Sequence, residues 1–234
     1  MRLLLAVLAA AVVGCGASST EPPPAAPVSP PARASRPKLH MESELGQIDE
    51  AATSKTFARA RSALMRCYAA GQGRLDYLAG DVKFFLRVQP DGHLRWAFVE
   101  QSTLGDHETE ACMLEVLDSA SWPLPDGGDA EVHQGLGFDP PPDARPPTDW
   151  SESRVAQAVQ RSSAAASACK QHAQGTFQVT AYVGPDHGAG RVLAASVAPA
   201  SAKAVPDADC LLGVVKAMKL PSPGSYPAKV SFSL

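Results

Sequence analysis

Residues 80–94, GDVKFFLRVQPDGHL, read as a β-strand running into a tight turn. Val82, Phe84, Leu86 and Val88 alternate with Lys83, Phe85, Arg87 and Gln89, the period-two pattern of a half-buried strand. Pro90-Asp91-Gly92 reverses the chain: proline presets φ, aspartate bonds its own backbone, and glycine takes the left-handed position. A return strand is predicted over about 93–100. Upstream, Phe57, Ala60, Leu64, Cys67 and Tyr68 recur at helical spacing, which predicts a helix over about 50–70. Downstream, Asp106 reads as the cap of a second helix carrying Cys112, Met113, Val116, Leu117 and Ala120 along one face. Trp122-Pro123-Leu124-Pro125 ends that helix, and a last strand is predicted at about 130–138.

The same order returns in the second half. A helix over about 153–171 ends near Cys169, and Phe177, Val179, Ala181 and Val183 then alternate. Pro185-Asp186 begins a turn, and Val192 to Val197 makes the return strand. Cys210, Leu211, Val214, Val215 and Met218 keep the phase of the earlier Cys112 helix, and Pro221 and Pro223 follow Cys210 as Pro123 and Pro125 follow Cys112. A final strand is expected at about 228–234. The expected fold class is α+β: two tandem α-β-β-α-β domains, each a three-stranded antiparallel sheet covered by two helices. The first domain spans 50–139, a Pro-rich linker 140–150, and a second, degenerate domain 151–234.

The 234-residue chain opens with one arginine, an apolar run from Leu3 to Val13, and Gly14-Cys15. That run is too short to span a bilayer and reads as a secretory signal, residues 1–14. Val12-Val13-Gly14-Cys15 resembles a bacterial lipobox, which implies cleavage before Cys15 and its acylation. The competing reading is an ordinary signal peptide with a chance cysteine. Residues 15–49 begin as an Ala-, Pro- and Ser-rich tether of a composition that buries no core. Lipidation of Cys15 would leave four of the five cysteines, an even number suited to an oxidising compartment. Three pairings are possible; the repeat favours Cys67–Cys112 with Cys169–Cys210 over the alternative of four free, buried thiols.

The run 80–94, then Ser102-Thr103-Leu104-Gly105-Asp106, Cys112 and Trp122-Pro123-Leu124-Pro125, resembles the AgmX/PglI C-terminal domain of myxobacterial envelope proteins, a family similar to the TonB C-terminal domain. The likeness covers about 55–138; in the second copy Pro199-Ala200-Ser201-Ala202-Lys203 replaces the Ser-Thr-Leu-Gly-Asp motif. It implies a non-catalytic envelope adaptor that binds a partner's extended segment at a sheet edge.

Little in the chain points to chemistry. Formal charge is −3 and no long basic run exists, so nucleic acid is not an expected partner. His40, His93, His107, His133, His172 and His187 form no metal-ligand spacing, and no cofactor or metal is expected. Glu108, Glu110 and Glu115 read as the polar side of the second helix, suited to its N-terminal dipole. Cys112 with His107 nearby could be a nucleophile, against which stands the repeated cystine. No enzyme is expected, with a cell-wall enzyme or accessory factor as the rival class.

The candidate binding surface is Phe85, Trp96 and Phe98. Simple alternation puts Leu94, Trp96 and Phe98 in the core. The family pattern instead turns Leu94, Ala97 and Val99 inward across a bulge and Trp96 and Phe98 out beside Phe85. The expected function is that of an envelope lipoprotein, held to the membrane by Cys15 and facing the periplasm, the outer membrane preferred. It would bind another envelope protein or peptide by adding an extended segment to an edge strand, about 130–138 or 229–234. A spacer whose two domains pack on each other is the third reading. Mass mapping of protein purified from membranes is expected to find acylated Cys15, and Cys15→Ala to move the protein to the soluble fraction. An unmodified N-terminal peptide would make this an ordinary exported protein.

Overall fold

In the computed structural model, residues 45–172 and 175–234 are described. The expected signal segment, most of the tether, Cys15 and His40 lie outside them. Helix α1, Glu50–Gln72, starts where the Asp49 carboxylate accepts from the N–H groups of Ala51 and Ala52 at 2.8 and 3.0 Å. Its buried stripe includes Phe57, Leu64, Cys67 and Tyr68. Strands β1, Gly80–Val88, and β2, Leu94–Ser102, follow, then α2, His107–Asp118, and β3, Ala130–Phe138. The first sheet has order β2-β1-β3, so β1 is central. Accordingly Val82, Phe84, Leu86 and Val88 are sealed completely under the two helices.

The second half is built on the same plan with more pieces. Short helices α3, Ala156–Arg161, and α4, Ser163–Cys169, precede β5, Gln178–Asp186, and β6, Ala189–Ala198; α5, Val205–Lys216, and β8, Ala228–Ser233, complete it. The helix expected unbroken over 153–171 is interrupted at Ser162, whose φ and ψ are −92° and 0°. Serine competes for backbone hydrogen bonds, and this Ala-rich stretch buries few side chains to hold a longer helix straight. The sheet has five strands, not three, in order β4-β8-β5-β6-β7. β4, Thr148–Trp150, comes from the expected linker and runs parallel to β8; β7, Leu220–Pro221, borders β6. Trp150, buried in the second core, draws β4 into place. Pro185-Asp186 stays within β5, because the turn is His187-Gly188, with φ of 46° and 86°. Two successive positive φ values are what a two-residue hairpin turn requires.

Both disulfides are present: Cys67–Cys112 and Cys169–Cys210 join residues 45 and 41 apart, with Cα–Cα distances of 5.8 and 5.5 Å. Beside each, a carboxylate at the start of the second helix ties down the end of the first. The Asp106 carboxylate, expected as a cap, accepts from no α2 N–H group; it accepts from Arg74 and from the Thr109 hydroxyl. Asp207, buried in α5, accepts from the His172 N–H at 2.9 Å and meets His172 Nδ1 at 2.7 Å.

The two halves share a buried boundary. The described residues form one compact unit with two hydrophobic cores, and Tyr182 and Ala194 of the second half belong to the core of the first. Val179, Ala181 and Val183 face α5, while Thr180 and Tyr182 on the reverse side of β5 are also buried. The Tyr182 hydroxyl donates to the Ala79 carbonyl at 3.1 Å, and Lys229 Nζ donates to the same oxygen at 2.7 Å. The Thr180 hydroxyl donates to the Ser102 carbonyl at 2.9 Å. Gly105 lies here with φ +74°, and a Cβ on it would come within 2.7 Å of Thr180 Cγ2. Glycine alone satisfies both demands.

Cys67→Ser with Cys112→Ser opens a 45-residue loop and is expected to cost up to ~4 kcal/mol of unfolding free energy. Urea unfolding with and without reductant reads this directly. An unchanged midpoint would mean that the latch at Asp106 holds the helices without the cystine.

Candidate protein-binding surface

β2 carries two bulges. Arg87 pairs with Trp96 and Val88 with Leu94, so Arg95 has no partner across β1; Lys83 pairs with Gln101 and Phe84 with Val99, so Glu100 has none. Each extra residue resets the alternation. Leu94, Ala97 and Val99 thereby pack on the first core, opposite Val88, Leu86 and Phe84. Trp96 and Phe98 share the helix-free face with Phe85, and the Phe85 and Phe98 rings stack at 4.9 Å.

This face is less open than a three-ring patch. Phe98 is only 6% exposed, Phe85 is half-buried, and Trp96 alone is open, at 44%. Charged side chains enclose the rings. Lys83 and His133 meet Glu100 at 3.1 and 2.9 Å, and His133 stands edge-on to Phe85. Partial burial works to raise the Glu100 pKa, but the bonds from His133 and Lys83 hold it below its ordinary value. Arg87 and Arg95 converge on Asp129 at 2.9 and 2.5 Å, and Arg87 also covers the Trp96 ring. The hydrogen bond from Arg95 leads in holding the Asp129 carboxyl below its ordinary range. The face is thus internally neutralised.

The edges differ more than the faces do. β3 pairs with β1 over nine consecutive positions, Gly80↔Phe138 to Val88↔Ala130, without a register shift. No other described strand borders it. At its start the chain is clamped, where Gly46 N–H donates to the Asp129 carbonyl at 2.6 Å and Gln47 pairs with Asp126. Residues 45–48 therefore belong to the folded body rather than to the tether. Beyond, the edge is open along a groove of about 320 Å³ between β3 and α1, lined by Phe57, Leu64, Met65, Leu136 and Phe138 with Arg61. Met65 is 44% exposed. The other edge strand expected from the sequence, 229–234, is internal: β4 covers β8, and Glu152 Oε1 accepts from the Ser233 N–H at 3.2 Å. Met65 and Arg61 fall off the apolar stripe of α1, so periodicity alone did not single them out.

Among the described residues no group of three or more His, Cys, Asp or Glu is arranged to hold a metal ion, and no helix is long and apolar enough to cross a membrane. Cys112 is bonded to Cys67 and is no free thiol beside His107. Glu110, expected on the polar side of α2, is instead 3% exposed, because the second half covers it. Burial pushes its pKa up to about 7, although the hydroxyls of Ser102 and Ser196 bond to it; the Ser102 bond is 2.5 Å long.

A carboxyl whose folded pKa lies above its unfolded value stabilises the fold fully below about pH 4.5, and that contribution is lost as pH rises through about 7. Glu110→Gln is therefore expected to raise stability at pH 8 by on the order of 3 kcal/mol and to change it little at pH 4.5. Parallel unfolding curves for the two proteins across this range would contradict the assignment. Comparison with family models, with curated proteins and with solved structures finds no match to this chain.

Proposed function

We propose that this protein is a non-catalytic binding module of the bacterial envelope, lipid-anchored through Cys15, that captures an extended segment of another envelope protein on the free edge of β3. The open edge itself carries the reading. An exposed strand edge presents unpaired N–H and C=O groups, and proteins ordinarily blunt such edges with bulges, proline, lysine or short covering strands. This chain uses those devices elsewhere. β2 is bulged twice, β8 is bordered by β4, and β6 is bordered by the proline-containing β7. β3 has nine residues, AEVHQGLGF, with no lysine, proline or bulge. An added strand would complete its ladder and lay alternate side chains into the groove beside α1. The resemblance to AgmX/PglI and TonB C-terminal domains supports the same mode.

A spacer function fits less well. The two halves do pack together, but through Tyr182, Thr180 and Lys229 against Ala79 and Ser102, which leaves β3 and Trp96 outside the boundary.

A photo-crosslinking residue at Gly135 is expected to capture one dominant partner in cells making the protein, and the same residue at Ser222 to capture none. Gln134 and Gly135 are adjacent, so their N–H groups point to opposite sides of the strand. Of Gln134→Pro and Gly135→Pro, one should break the β1 ladder and lower stability, while the other abolishes capture at near-normal stability. Capture that survives the stable proline variant would remove β3 from the mechanism.

A further inference from the structure

The groove beside β3 has a charge as well as a shape, and the charge belongs to α1. That helix carries Lys55, Arg59, Arg61 and Arg66 against one acidic residue, Glu50. The chain as a whole has net charge −3, so this excess is local. It does not serve the helix dipole, which favours cations in the last turn; the last turn of α1 has none. Nor is it an ordinary solvated face of mixed sign, in which glutamates spaced four residues from lysines offset them. Among the described residues, none of the four takes part in an ion pair, whereas Arg74, Lys83, Arg87 and Arg95 of the same half all do. Arg61 lines the groove next to Met65, facing Gly135–Phe138; Lys55 and Arg66 are exposed elsewhere on α1, and Arg59 lies on the side toward α2, where it donates to the Thr56 hydroxyl at 2.8 Å.

From this we infer that the partner segment is acidic. The inference rests on the edge-addition reading and specifies its ligand. The occupant is an extended peptide segment that pairs with β3 and turns alternate side chains toward α1, an apolar one seated between Met65 and Phe138 and a carboxylate two residues along at Arg61. Adjacent strands lie about 4.8 Å apart, so an added strand brings its helix-side residues within reach of the long Arg61 side chain. The nearest acidic groups of the protein itself do not compete for Arg61. Glu131 is drawn to Arg87 on the opposite sheet face, and Asp139 lies beyond the end of β3. Opposite charge at an exposed site adds modest affinity but strongly selects among sequences and speeds association at low salt.

A displayed library of random linear 12-residue peptides, selected against the intact chain, tests this. Expected are binders in which Asp or Glu is enriched two residues from a Val, Ile or Leu, on the same face of the strand, and which slow amide exchange over 130–138. Arg61→Glu should weaken those binders about tenfold and Arg61→Lys less than threefold, with affinity falling as salt is raised. Binders that protect β3 but show no acidic enrichment, or tolerate Arg61→Glu, overturn the acidic segment and leave edge addition standing. Binders that protect another region, or none at all, overturn both. Concentration-dependent dimerisation that protects β3 would give the edge to a second copy and likewise overturn the proposal.

Discussion

An antiparallel sheet with helices on one side has a second side that must meet water or something else. In the second half it meets the first half, and the placement of Tyr182 makes that possible. Its ring lies in the core of the first half, 5.6 Å from Tyr77, and its hydroxyl bonds the Ala79 backbone. Burial raises the Tyr77 pKa to about 12 and that of Tyr182 further, so both hydroxyls stay protonated hydrogen-bond donors at any physiological pH. Around this wedge every buried polar group needs a partner. Thr180 finds the Ser102 carbonyl, Lys229 the Ala79 carbonyl, and Glu110 the hydroxyls of Ser102 and Ser196. A buried carboxyl on a helix surface follows directly from covering that helix with a second sheet.

The parts legible in the sequence were those governed by local rules. Alternation in β1, the stripe on α1 and the cysteine phase of α2 and α5 each report on one element and one face, and the elements sit where those signals put them. The parts that were not legible depend on what lies across a gap. Thr180 and Ser196 look like solvent-facing residues, and nothing near them says that another sheet covers them. Trp150 looks like a stray aromatic after a proline run until β8 offers it a neighbour. The bulges at Arg95 and Glu100 leave no mark in the spacing of apolar residues, so alternation alone does not decide which way Trp96 and Phe98 turn, and nothing in the spacing signals the burial of Phe98.

The two sheets also divide the labour of edge control. Short caps are enough for the second sheet because each needs only a few ladder bonds: β4 three residues, β7 two. In the first, β2 is disqualified by its bulges, and its C-terminal end abuts the second half at Ser102. Among the described residues one sheet edge of four remains available, beside the long helix α1 and the groove it borders. The charged network on the Phe85 face then has a simple role. It satisfies Asp129 and Glu100 internally and holds the 126–130 loop against the strand it precedes.

The covered sheet reverses a common expectation about two halves of similar element order. The second half, which has no Ser-Thr-Leu-Gly-Asp sequence, would ordinarily be taken as freer to drift. Yet β5 is enclosed on both sides, so nearly every position from Val179 to Val183 is answerable to one core or the other. β1 of the first half has one face that only has to balance charge. Sparseness of sequence motifs and tolerance to substitution therefore run in the same direction only by appearance here: the half with fewer recognisable signals is the one whose central strand can accept the fewest replacements.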